Sequence, residues 1–156
     1  MKATMQQLDD AIMLASKAHH KQRDKAGAPY ILHPLRVMMR MSTIEGKIVA
    51  ISHDLIEDTY VTIKDLIDNG CPDVCVHAID CLTRRQNESY TKYLSRVVSD
   101  KLASECKLED MRDNSNIYRL HKVAKDHLNM IKKYHKGVFY ILATYPEFIS
   151  KFELIT

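Results

Sequence analysis

Short, widely separated stretches of this chain carry residue types suited to metal-assisted chemistry on a phosphate. The densest is KIVAISHDLIEDT (47–59), where His53 stands four residues before Glu57, and Asp54 four before Asp58. Residues at that spacing stack on one face of an α-helix. Three carboxylates crowded on two turns repel one another unless a cation lies nearby. On a helical wheel Ile48, Val49, Ile51, Leu55 and Ile56 form the opposing apolar arc, while the small Gly46 and Ala50 on the polar side leave room for another element. A solvated polar face has the same periodicity, so the pattern alone leaves both readings open.

Two other places could contribute donors. His33 precedes Pro34, which biases it towards extended backbone just ahead of a helix and aims its imidazole across the helix N-terminus. An ordinary cap looks the same. Asp110 and Asn114 are again four apart, and Asp110 lies in line with Ala103, Cys106 and Ile117. A buried Asp110 would need a partner, and a metal is one answer. Lys107 and Asp113 flank that line, so an exposed Asp110 fits equally well. Two His and two Asp make a nitrogen–oxygen set suited to Mn²⁺, Fe²⁺ or Zn²⁺ rather than a thiolate zinc site. Such an ion makes hydroxide available near neutral pH and polarises a phosphoryl oxygen. No GxSxG elbow, P-loop, Rossmann glycine motif or HExxH competes with it.

The elements that must position these residues read as helices throughout. Thr4 and Gln7 form a capping-box signal for a first helix carrying Leu8, Ile12 and Ala15. Residues 21–31 form a loop containing Gly27 and Pro29. Pro34 suits the first turn of a second helix, and a third is expected over about 45–57. Thr62 and Asp65 open a short fourth that stops at Asn69-Gly70, and Pro72 opens a fifth. After a loop at 83–88, helices are expected over about 89–98, 101–118 and 125–144, with Pro146 as the interruption. Met38, Met39 and Met41 read as core filling. Tyr30, Tyr90 and Tyr93 are candidates for stacking on a base, although the spacing of the last two equally suits helix packing.

With 156 residues, 46% hydrophobic, 28% charged and only four Gly and four Pro, the chain reads as one all-α globular domain, not a disordered or fibrous one. No apolar run reaches the ~20 residues of a membrane span and no leading signal segment is visible, so a cytoplasmic location and no membrane partner are expected. Cys71, Cys75, Cys81 and Cys106 lack metal-site spacing and read as reduced, packed thiols. Net charge is +3, but unevenly spread: residues 17–40 carry +5, 41–81 carry −6 and 82–156 carry +5. A basic block beside an acidic one suits a metal site for a phosphorylated small molecule, and unrelated surface faces produce it too. Nucleic acid is not an expected partner, because no basic-aromatic motif accompanies the charge.

Taken together, AHHKQRDKAGAPYILHPLRV (18–37), HDLIEDT (53–59) and KLEDMRDN (107–114) resemble the HD-domain hydrolases of the RelA/SpoT kind. These enzymes and their small stand-alone relatives remove the 3′-pyrophosphate from the alarmones ppGpp and pppGpp. The resemblance covers roughly residues 8–120, and LTRRQNESYTKYLSRV (82–97) looks most like the short single-domain members of bacteria and phages. It implies one HD-type phosphohydrolase domain over 1–156, with no room for a synthetase domain. It further implies that His33, His53, Asp54 and Asp110 hold one Mn²⁺, and that Glu57 and Asp58 are the catalytic acidic pair that activates water. Asn114 matches a position near the ribose and 3′-phosphates, and Lys25 one beside the nucleotide. Arg23, Lys21 and Arg36 could help neutralise the substrate, and Tyr90 could contact its base. Asp24 stands where the long alarmone hydrolases place a base-stacking Arg, with Arg23 one position earlier. His19 and His20 read as loop or supporting residues. The rival readings are a Mn-dependent phosphatase of another nucleotide such as NADPH, a helical regulatory module with vestigial HD residues, and a basic nucleic-acid binder.

Overall fold

Local capping decides where most helices begin. Thr4 and Gln7 cap each other's backbone at the start of α1 (Met5–Ala18), which buries Leu8, Ala11 and Ala15. Thr62 and Asp65 repeat the device at α5 (Ile63–Asp68), which ends before Gly70 at φ +76°. Thr43, Ser89 and Asp100 accept single backbone N–H bonds at the starts of α3 (Ile44–Ser52), α7 (Tyr90–Val97) and α8 (Lys101–Asn114). The computed structural model describes residues 2–119 and 124–152, and among them the elements are helical, with one isolated bridge between Arg23 and Pro29.

At the centre lies α3 (Ile44–Ser52), whose Ile48, Val49, Ala50 and Ile51 are wholly buried. Around it pack α1, α2 (Leu32–Arg40), α6 (Asp73–Leu82) and α8 (Lys101–Asn114). Gly46 lets Met41 close over α3: a Cβ there would fall 2.9 Å from Met41 Cε. Met38 and Met41 are core residues as expected, whereas Met39 is exposed on the outer face of α2.

Helix α2 begins at Leu32, so His33 lies within its first turn rather than on extended backbone ahead of it, and Pro34 follows there without needing an N–H. Two other helices differ in extent. The third stops at Ser52, turns through His53 and Asp54, and resumes as the one-turn α4 (Leu55–Asp58). Helix α8 ends at Asn114 rather than 118, followed by a short 3₁₀ turn at Ile117–Arg119. By contrast α7 (Tyr90–Val97) and α9 (Lys125–Thr144) lie where expected. Helix α9 covers α7 and α8 through Gly137, where a Cβ would lie 2.6 Å from Tyr90 Oη and 2.8 Å from Met111 Cε. Beyond it the 3₁₀ segment Pro146–Phe152 buries Phe148, and Tyr145 donates to Val98 O at 2.9 Å. The last residues of the C-terminal segment, 153–156, lie outside the described ones.

Candidate metal centre and cleft

In a continuous helix, neighbouring residues point about 100° apart and could not share a ligand. The turn after α3 removes that obstacle. His53 Nδ1 donates back to Ala50 O at 2.7 Å, and Asp54 takes φ −98°, ψ −3°, which brings His53 Nε2 within 3.1 Å of Asp54 Oδ2. From α2, His33 Nε2 reaches the same point, 3.6 Å from Asp54 Oδ2. From α8, Asp110 Oδ1 lies 3.1 Å from His33 Nε2 and 3.6 Å from His53 Nε2. The two imidazoles, Asp54 and Asp110 therefore converge from three separate stretches. Both His rings and Asp110 are buried, and Asp54 is mostly so.

Both imidazoles have one nitrogen already engaged. His33 Nδ1 lies 2.8 Å from Oδ2 of the fully buried Asp113, whose oxygens also accept from Arg36 Nε and Nη2 at 2.8 and 2.9 Å and from Arg40 Nη1 at 3.3 Å. With Nδ1–H held by a carboxylate in one ring and a carbonyl in the other, each ring in its neutral form turns its Nε2 lone pair to the common point. His53 Nε2 is buried there without a hydrogen bond. An orphaned imidazole nitrogen, a second one beside it and two carboxylates make a donor set that fits a divalent cation, and the group His33–His53–Asp54 could hold one. Asp110 is pinned from outside: Lys107 Nζ donates to its Oδ2 and Asn114 Nδ2 to its Oδ1, each at 2.6 Å.

The electrostatics show what the centre lacks. Burial resists charging of His53, yet the Asp54 charge and contacts to Asp110 and Asp54 hold it well above the usual imidazole range. His33 is also raised: burial opposes it, but bonds to Asp110 and Asp113 prevail. Burial pushes Asp54 up, and the His53 charge outweighs it to leave Asp54 at about 2. Asp110 is likewise driven well below the carboxylate range, against burial, chiefly by Lys107. The carboxylates demand positive charge at the two Nε2 atoms.

Glu57 and Asp58 stand at the rim. Glu57 accepts the Arg84 backbone N–H, and Asp58 accepts from Tyr30 Oη at 3.0 Å. Partial burial raises the pKa of both, with the Asp54 charge adding to the effect. Tyr30 also donates to Asp54 Oδ2 at 2.6 Å, so it ties two carboxylates together rather than offering a free ring to a base.

A cleft of about 470 Å³ opens above these groups. One wall is the 22–26 loop with Arg23 and Lys25, and the other carries Asn114, Asn116, His127, Met130 and Tyr134. Asp24 accepts the backbone N–H groups of Ala26 and Ala28 at 2.9 Å each, so it shapes the loop from within. Tyr90 lies not in this cleft but in a smaller chamber beside it, and Tyr93 is buried. His19 is buried against Tyr30, with Nδ1 2.7 Å from Gln22 Oε1. From the sequence, Asp113 could substitute for Asp110 as a ligand, but it instead holds His33 Nδ1; Lys107 read only as a flanking residue, and Tyr134 was not singled out. The i, i+3 spacing of Lys107 and Asp110 was the one available hint.

No family model matches the chain. It is 28% identical over 121 residues to a guanosine-3′,5′-bis(diphosphate) 3′-pyrophosphohydrolase of Aquifex aeolicus, covering 70% of this chain and 17% of that protein. It is 30% identical over 124 residues to the bifunctional (p)ppGpp synthase/hydrolase SpoT of Escherichia coli K12, covering 70% and 18%. A GTP pyrophosphokinase of Myxococcus xanthus matches at 33% over 90 residues, covering 55% and 12%. The chain thus spans less than a fifth of the length of these curated relatives. A solved metazoan orthologue of SpoT, described as hydrolysing ppGpp, superposes with a TM-score of 0.70 at 17% identity, covering 99% of this chain and 100% of that one. No helix among the described residues is long and apolar enough to cross a membrane, and all four cysteines are free thiols. The fold is an all-α HD-type one, and in both fold and sequence the chain resembles the HD-domain hydrolases of the RelA/SpoT kind.

Proposed function

We propose that this chain is a single-domain, Mn²⁺-dependent (p)ppGpp 3′-pyrophosphohydrolase of the cytoplasm, with His33, His53, Asp54 and Asp110 as the ion's ligands. One observation carries the reading: two buried Nε2 atoms, each fixed by an acceptor on its Nδ1, meet two carboxylates in a cleft whose lining also offers Arg23 and Lys25. When bound, the divalent ion lowers the pKa of water and polarises the phosphoryl oxygen.

The chain's own groups then divide the remaining work. Glu57, raised by burial, takes a proton from the attacking water, whose oxygen bonds to the 3′-phosphorus. The bond from that phosphorus to ribose O3′ breaks, the proton accepted by Glu57 is passed on to O3′, and pyrophosphate leaves GDP or GTP behind. Asp58, held by Tyr30, orients the water from the opposite side of the turn. Lys107 and Asn114 keep Asp110 in place, and Arg23 and Lys25 face the nucleotide across the cleft. The names of the relatives support guanosine alarmones as the substrate class.

The test is to supply Mn²⁺ and assay ppGpp, pppGpp, NADPH and deoxynucleotides, identifying the products. Pyrophosphate from ppGpp supports the proposal. Orthophosphate from NADPH with no turnover of ppGpp would replace it with a nucleotide phosphatase.

A further inference from the structure

Beside the cleft, on the side of α7 and α9, lies a second chamber of about 150 Å³ that the reaction outlined above does not use. Asp54, Glu57, Lys107 and Tyr134 line both spaces, so the two meet at the candidate metal centre. Its remaining walls include Arg84, Lys133, Tyr90 and Tyr93. Three cations thus converge on one small space. Lys133 lies over the Tyr90 ring at 4.3 Å, and neither it nor the Arg84 guanidinium has a carboxylate within ion-pair distance among the described residues. Burial, then the Arg84 and Lys107 charges, lower the Lys133 pKa, as mutual repulsion requires. Tyr90 lines the chamber, and its Oη is buried without a hydrogen-bond partner against Gly137 of α9. Two exposed cations without a carboxylate partner and the ion-paired Lys107 around one small space draw an anion into it.

We infer that this chamber is an anion site that takes the outer phosphate of a diphosphate ester, while the larger cleft takes the nucleoside. The inference rests on the proposed reaction, which places the inner phosphorus at the junction of the two spaces. The ribose leaves that point into the roomy cleft, and the second phosphate turns into the cationic chamber. Lys133, Arg84 and Tyr90 thereby become specificity residues that favour a diphosphate over a monophosphate, and they hold the departing pyrophosphate.

The test uses the full chain without metal, titrated with inorganic pyrophosphate and with inorganic phosphate while the tyrosine ring resonances are followed. Pyrophosphate should bind the more tightly and shift the Tyr90 ring. Lys133→Gln and Arg84→Gln should each weaken it by about ten-fold, the scale of one charge-assisted hydrogen bond. Lys64→Gln, an equal charge change on exposed α5, should leave it unaltered. Absence of pyrophosphate binding, or equal affinity in all three variants and the parent, overturns the inference. That result is independent of turnover: a chain that hydrolyses ppGpp yet binds no pyrophosphate loses only the chamber, and one that binds it yet never releases it from ppGpp loses only the proposed reaction.

Discussion

Replacing Asp113 by Asn tests whether the centre is built from behind. The carboxylate is fully buried and its two oxygens accept from His33 Nδ1, Arg36 Nε and Nη2, and Arg40 Nη1. An asparagine offers one oxygen, so either orientation turns its NH₂ towards two of those donors. Hydrogen bonds to charged groups contribute about 1.5–3 kcal/mol each. Arg36 and Arg40 are each one-third exposed and recover part of the loss from water. A net cost of roughly 2–4 kcal/mol follows, which lowers the melting temperature of a chain this size by about 5–15 °C. Because domains typically have about 5–15 kcal/mol of stability, the variant should still fold. Its His33 ring loses the acceptor that fixes Nδ1–H, and ion affinity should fall by about 10–100-fold. Competition against a chelator, with melting followed on the metal-free protein, reads both quantities. A folded Asp113→Asn protein that binds the ion as tightly as the parent would refute the argument that Asp113 positions His33.

Other substitutions separate binding from chemistry. Asp54→Asn and Asp110→Asn should each abolish ion retention and turnover, read by elemental analysis of protein purified without chelator. Glu57→Gln should keep the ion and lose about 10²–10⁴-fold in rate; unchanged turnover would remove Glu57 from its role. Because the Glu57 pKa is raised, the parent's activity should fall on acidification at a pH above the ordinary glutamate value. A limb at or below that value would argue for another base. The metal-free protein has its own pH signature. His33 and His53 are raised on folding, so their contribution to stability is complete below the unfolded imidazole pKa near 6.5 and is lost as pH climbs through the folded values. Ion binding needs neutral imidazoles and should tighten over the same range. Melting curves at rising pH, with and without metal, should therefore diverge.

Helix starts were legible because each is written in two or three neighbouring residues, as at Thr4/Gln7 and Thr62/Asp65. The types of the ligand residues were legible as well. What the periodicity hid was the turn at His53–Asp54, since SHDLIED contains no Gly or Pro to announce it. That turn is held by one local bond, from His53 Nδ1 back to Ala50 O, and one tertiary bond, from Tyr30 Oη to Asp54. Asp110 was ambiguous between core and solvent for a related reason. The line it shares with Ala103 and Cys106 is buried, but Glu109 and Asp113 on the next face are buried too, held by arginines of α2. A helix enclosed on two sides by partners of opposite charge has no amphipathic signature to read.

That enclosure also explains how so acidic a centre can sit inside the fold. Asp110 and Asp113 are buried and Asp54 mostly so, all three around the one His33 ring, an arrangement that repulsion and desolvation would otherwise disfavour. Arg36 and Arg40 neutralise Asp113 from the α2 side, and Lys107 neutralises Asp110 from the α8 side. What stays uncompensated is charge directed at the point where the two Nε2 atoms meet. Because Asp110 is anchored through both oxygens and His33 through its far nitrogen, these donors cannot swing away to satisfy themselves elsewhere. The second-layer cations therefore act twice, making the carboxylates tolerable in the interior and keeping their unmet demand aimed at a single position.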